Sequence, residues 1–162
     1  MKAFHLKFSQ FLPISLHEAW DFFSSPMNLA KITPPDMAFT VTSPLQTEEK
    51  MYPGMIITYK VSPLAGIQLN WMTEITQVLT YQYFIDEQRF GPYKFWHHQH
   101  HFKEVPGGVE MTDLLTYGLP MGIFGKIANS VFVAHKLQQI FNFRKQKTID
   151  LFGDYTAATA GT

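Results

Sequence analysis

The stretch Phe84–Tyr117, FIDEQRFGPYKFWHHQHHFKEVPGGVEMTDLLTY, holds two strand-like runs on either side of Val105-Pro106-Gly107-Gly108. Strand side chains alternate faces. Trp96, His98, His100 and Phe102 therefore share one face of the first run, and His97, Gln99, His101 and Lys103 share the other. With Pro106 and Gly107 as the central turn residues, Val105 pairs with Gly108, Phe102 with Met111, His100 with Asp113 and Trp96 with Tyr117. One sheet face then carries a polar cluster bounded by large aromatic rings, which reads as a pocket wall. A slip of one residue would reverse every face and hand the role to His97 and His101.

Outward from this hairpin, the chain reads as strands first and one long helix last. Phe4, Leu6 and Phe8 alternate with His5, Lys7 and Ser9, which predicts a half-buried first strand. Ser15 and Glu18 match a capping box ahead of Leu16, Ala19, Trp20 and Phe23 at helical spacing. Ser25-Pro26 opens a second short helix to about Ile32, and Thr33-Pro34-Pro35 stops it. Strands are expected over 39–42, 55–61, 67–78 and 81–88, before the two of the hairpin. Beyond Pro120, apolar residues recur every three or four positions (Ile123, Ile127, Val131, Ala134, Leu137, Phe141), with no proline as far as Gly153. That predicts one helix of roughly 30 residues, about 45 Å long. Phe124, Phe132, Ile140 and Phe143 widen its apolar stripe, so a sheet should embrace it.

Composition narrows the function classes. The 162 residues suit one domain with a sizeable core. Aromatics make up 15% of the chain, including 15 Phe and 7 Tyr, enough to fill a core or to line a cavity for an apolar ligand. Thirteen basic residues balance thirteen acidic ones without a basic stripe, so no nucleic-acid partner is expected. The chain has no Cys, which excludes disulfides and thiolate chemistry and suits a reducing compartment. The N-terminus does not read as a signal peptide, and no uncharged apolar run approaches the ~20 residues of a membrane span. A cytoplasmic protein is expected.

The order of elements is that of the helix-grip fold, and the local wording points the same way. Trp20-Asp21-Phe22-Phe23, Leu29-x-x-Ile32-Thr33-Pro34-Pro35, Gly54-x-Ile56-Ile57-x-Tyr59 and Trp71-x-Thr73-x-Ile75 stand at matching points. So do Phe84-x-Asp86-x-Gln88-x-x-Gly91-Pro92-Tyr93, Trp96-x-His98-x-His100-x-Phe102 and Tyr117-x-x-Pro120-x-Gly122. Over residues 3–152 the chain resembles the START-like (SRPBCC) superfamily, in particular a bacterial polyketide cyclase/dehydrase-like and lipid-transport-like subgroup. The resemblance implies an α+β domain over 1–152. In it, a six- or seven-stranded antiparallel sheet wraps a C-terminal helix at 120–152, two short helices follow strand 1, and 153–162 form a flexible tail. It also implies a cavity between sheet and helix. The superfamily hosts carriers, sensors and enzymes alike, and no catalytic signature carries over residue by residue.

The expected ligand is a small hydrophobic molecule, aromatic, polyketide-like or lipid-like. Tyr59, Trp71, Trp96, Phe102 and Tyr117 would give apolar contact, and His98, His100, Asp113 and Gln88 would hold a polar group. Asp86 and Gln88 share a strand face with Phe84 and could rim the cavity mouth. Arg89 and Glu74 should face solvent. Two imidazoles and a carboxylate could bind a metal, but a hydrogen-bonded His–Asp network is the preferred reading, with no metal and no cofactor. The alternative function is a cyclase, dehydratase or isomerase in which His100 and Asp113 act as acid and base. No nucleophile with a paired base is visible. Residues 63–66 and the helix entry at 120–125 are candidate gates.

Overall fold

Alternating runs of apolar and polar residues pair into one sheet in the computed structural model, which describes residues 2–46, 48–62, 67–120 and 132–156. The strands are β1 (Phe4–Leu12), β2 (Thr40–Val41), β3 (Ile56–Val61), β4 (Leu69–Leu79), β5 (Tyr83–Phe90), β6 (Phe95–Val105) and β7 (Gly108–Gly118). They form a seven-stranded antiparallel sheet of order β1-β7-β6-β5-β4-β3-β2. Helix α1 (Leu16–Phe23) and 3₁₀ segments at Pro26–Ile32 and Pro35–Met37 follow β1, and helix α2 (Ala134–Phe152) follows β7. Among the described residues, no helix is long and apolar enough to cross a membrane.

The hairpin register is the one its turn requires. Val105 pairs with Gly108, His100 with Asp113 and Trp96 with Tyr117. Gly107 has φ 80°, the left-handed geometry that the second central residue of a type II turn needs, with Pro106 before it. Along β6, burial alternates so that Trp96, His98, His100 and Phe102 are inside. His97 and His101 lie on the outer face, where His97 meets Glu87 at 2.7 Å and His101 meets Gln99 at 2.9 Å.

Two kinds of packing cover the inner face. At the turn end of the hairpin, the capping box of Ser15 and Glu18 starts α1, and its Trp20 and Phe23 pack against Phe84, Phe102, Val109 and Met111. At the other end, α2 lies against β1 and β7. Phe141 stacks on Phe8 with ring centroids 3.9 Å apart, and Leu137 joins Leu115 and Tyr117 in the same cluster. Each such buried side chain is worth about 1.5–3 kcal/mol. Between the two lies the middle of the sheet. There β4 shifts register against β5 at Met72/Thr73 and at Ile75/Gln77, and such bulges bend a strand and deepen the concave face.

Some expectations meet a different structure. Phe132, expected to widen the apolar stripe of the last helix, is exposed. Arg89 and Glu74 lie on the outer face as expected, paired at 2.7 Å, with Arg89 also 3.2 Å from Glu87. The Tyr155 hydroxyl donates to the Pro106 carbonyl at 2.6 Å, and its ring lies 5.2 Å from that of Phe11. Residues 157–162, the gate segments 63–66 and 121–125, and Ile123, Phe124, Ile127 and Val131 lie outside the described residues.

Candidate functional site

Between the concave face of the sheet and α2 the side chains leave a cavity of about 450 Å³. An apolar cavity of about 150 Å³ already admits benzene, so this space takes a ligand of more than one ring. Its walls are mostly apolar. Tyr59, Trp71, Ile75 and Trp96 come from the sheet, Leu29 and Ile32 from the 3₁₀ segment, and Leu137, Ile140 and Phe141 from α2.

One wall is polar. His98 and His100 sit side by side on β6, ring centroids 3.9 Å apart, between two carboxylates. On the β7 side, Asp113 Oδ1 accepts from His98 Nε2 at 2.9 Å and lies 2.9 Å from His100 Nδ1. The latter nitrogen is buried and has no aligned hydrogen bond, so that contact is one of charge. On the β5 side, Asp86 Oδ2 accepts from His100 Nε2 at 3.0 Å and lies 3.5 Å from His98 Nδ1. The other oxygen of Asp86 accepts from Trp96 Nε1 at 3.1 Å. Phe84 stacks on His100 at 4.2 Å and Phe141 meets His98 edge-on at 5.6 Å, so both rings are fixed in orientation.

Protonation follows from these contacts. Burial alone would raise Asp113, but its contacts with His100 and His98 outweigh it and hold the carboxyl well below the ordinary range. Asp86 is lowered in the same way: burial opposes, and the hydrogen bond from His100, helped by that from Trp96 and by the neighbouring imidazoles, prevails. Burial, reinforced by the charge of His100, pushes His98 down, so its ring is neutral. Burial also works against charge on His100, yet the two carboxylates win and raise it, so of the two rings His100 holds a second proton more readily. Burial raises the Tyr59 hydroxyl, which shares a 2.6 Å hydrogen bond with Thr73 Oγ1.

Arg144 of α2 completes the polar wall. Burial lowers its pKa against the pull of Asp113 and Asp86, and a guanidinium stays charged regardless. Its carbon lies 5.1 Å from the Phe141 ring centre, while its Nε is buried without a hydrogen-bond partner. Trp71 Nε1, also in the wall, is likewise buried and unpartnered. A buried donor without an acceptor costs about 1–3 kcal/mol, and an acceptor inside the cavity would recover it.

Of the residues singled out in the sequence, Tyr59, Trp71, Trp96, His98 and His100 line the cavity. The other four do not. No lining residue comes from β1 or β7, because α2 packs directly on those strands through Phe8 and Phe141. Asp113 consequently stands behind the histidines, and Tyr117 is buried against Phe4 and Tyr93. Phe102 is four residues nearer the turn than His98, about 13 Å along the strand, and belongs to the core under α1. Gln88 turns back to its own loop, donating to the Tyr93 carbonyl at 2.6 Å and accepting from the Tyr93 amide at 3.2 Å. Asp86, expected at most at the rim, is instead central. Arg144 carried a readable signal, since it continues the Leu137, Ile140, Phe141 stripe as its one charge.

No protein-family model matches the sequence, and no curated protein matches it. Solved structures do. Protein CV1439 from Chromobacterium violaceum superposes with a TM-score of 0.67 at 10% identity, over 92% of this chain and 97% of that one. Protein Ms6760 from Mycobacterium smegmatis gives 0.62 at 18% identity, over 88% of each chain. Ara h 8.0201 gives 0.60 at 12% identity, over 92% of this chain and 99% of that one. This chain has the helix-grip fold. At such identities the likeness speaks for the fold, and function has to be argued from the cavity.

Proposed function

We propose that residues 1–152 form a single START-like domain, working in the cytoplasm, that binds a small hydrophobic molecule carrying one hydrogen-bond-accepting group. The ligand class is aromatic, polyketide-like or lipid-like. The observation that carries this reading is a largely apolar cavity of about 450 Å³ in which the buried donors Arg144 Nε and Trp71 Nε1 have no partner. Apolar walls supply affinity, and a few fixed polar groups supply orientation. Donors that lack acceptors select a carbonyl, carboxylate or similar oxygen on the ligand. The acid–base alternative has less support, because both nitrogens of His100 already face carboxylate oxygens, at 3.0 and 2.9 Å.

Native mass spectrometry of protein purified from its own host should find a co-purified small molecule. In titrations, 1-anilinonaphthalene-8-sulfonate and the uncharged N-phenyl-1-naphthylamine should both bind. Arg144→Met should weaken the sulfonate about tenfold, equivalent to about 1.4 kcal/mol, and leave the uncharged probe unchanged. If neither probe binds the wild type, or if the variant weakens both equally, the reading is wrong.

A further inference from the structure

We infer that Asp86, His98 and His100 form a binding site for one divalent first-row transition ion, opening on the cavity, with Asp113 and Trp96 holding the ligands in place. Among the described residues these three side chains offer ligand atoms that all lie within 4.8 Å of one another. Asp86 Oδ2 is 3.0 Å from His100 Nε2 and 3.5 Å from His98 Nδ1. Two ligand bonds of ~2.05 Å at a tetrahedral angle put their donor atoms about 3.3 Å apart. Two of the three donor pairs stand near that spacing, and the third lies within 4.8 Å.

The proton inventory of the two rings points the same way. Asp113 Oδ1, behind them, faces one nitrogen of each imidazole at 2.9 Å. On His98 a single proton sits in that hydrogen bond and leaves the other nitrogen as a lone pair. His100 shifts its proton from Nε2 to Nδ1 when an ion takes Nε2. For His98 that lone pair is Nδ1, and it faces the Asp86 carboxylate, acceptor against acceptor. Charging both rings would set two imidazolium ions in contact, with centroids 3.9 Å apart. A cation between Asp86 and the two lone pairs removes both conflicts at once, and the two carboxylates balance its charge.

The supporting groups are those a metal site requires. Ligating histidines usually donate their second N–H to a carboxylate, and ligating carboxylates are themselves hydrogen-bonded. Here Asp113 faces both imidazoles, and Trp96 Nε1 donates to Asp86 Oδ1 at 3.1 Å. Asp86, His98 and His100 line the cavity while Asp113 does not, so the ion sits on the cavity side with positions left open for an oxygen donor. Two imidazoles and one carboxylate suit Zn²⁺ or Fe²⁺ rather than Mg²⁺ or Ca²⁺. The inference goes beyond the ligand reading and does not depend on it, since the ion needs only these side chains.

The test uses full-length protein stripped with chelator and titrated with Co²⁺ by visible absorption and with Zn²⁺ by calorimetry. One equivalent of each should bind, Co²⁺ giving the d–d bands of a low-coordinate nitrogen and oxygen site. Asp86→Asn should abolish this binding, and Asp113→Asn should weaken it about 10- to 100-fold. The outward pair His97→Gln with His101→Gln should leave it unchanged. Should the buried variants fail to fold, long-range ¹H–¹⁵N spectra of the wild type decide: Zn²⁺ must move the ring nitrogens of His98 and His100 and not those of His97 and His101. Absence of binding at millimolar ion, or binding that is lost with His97 and His101, overturns the inference.

Discussion

Replacing Asp113 by Asn removes one charge from the centre of the buried network and almost no volume. Asp113 Oδ1 faces His98 Nε2 and His100 Nδ1, each at 2.9 Å, and the residue is 6% exposed. Breaking a buried ion pair from one side costs about 3–5 kcal/mol. The amide oxygen of Asn can still accept one of the two N–H groups, which places the loss near the lower end, about 3 kcal/mol. With a urea m value of ~2 kcal/mol/M for a chain of this size, the unfolding midpoint should fall by about 1.5 M. The assay is urea unfolding followed by tryptophan fluorescence, in chelator, across a range of pH. The sign follows from the direction of each shift. Asp113 is held below its unfolded pKa, so its contribution is present above about pH 4 and is lost as pH falls through the folded value. His100 is held above its unfolded pKa, so its contribution is complete below about pH 6.5 and is lost as pH rises through the folded value. Asp86 from β5 faces the same rings in both proteins and leaves these signs in place. The gap between wild type and variant should thus be widest between about pH 4 and 6.5 and narrow on both sides. A gap below ~1 kcal/mol in that window, or one that does not vary with pH, would refute this account of the network.

Two further outcomes test how the walls are held. Tyr59→Phe leaves the buried Thr73 hydroxyl without its 2.6 Å partner and should cost about 1–2 kcal/mol in urea unfolding. An unchanged midpoint would mean that Thr73 finds another acceptor. Gly108→Ala places a Cβ against the Leu12 carbonyl oxygen, so β1 must move away from β7. Stability should fall by about 2 kcal/mol or more, with amide exchange in β1 rising first. Equal stability would show that the two strands approach less closely than described.

The parts of this protein legible in its sequence are those governed by near neighbours. Pro106-Gly107 sets the turn, the turn sets the register, and period two then sends His98 and His100 inward and His97 and His101 outward. Ser15 and Glu18 start α1 by a contact three residues apart, and the seven strands could be counted from alternation and punctuation. The contents of the site depended on distant contacts. Asp86 faces His98 because β5 and β6 pair Asp86 with His98 across the 91–94 connection. That connection carries no turn signature as firm as Pro-Gly, so the pairing could not be counted out from it. Gln88, on the same strand face as Asp86, bends to its own loop because the Tyr93 backbone offers both a donor and an acceptor within reach.

The division between lining and core was tertiary as well. Phe102, Trp96 and Tyr117 look alike in the sequence, each a large ring on an inward face. Only the placement of α1 over the turn end, and of α2 over β1 and β7, leaves Trp96 on the cavity wall and buries the other two. Arg144 could be placed on the apolar stripe of its helix by counting residues, but stacking of Phe141 on Phe8 turned that stripe towards the cavity. Periodicity fixes which residues share a face of an element. How far that face stands from the next is settled by the few side chains that touch first, and here those contacts leave a cavity between the last helix and the middle of the sheet.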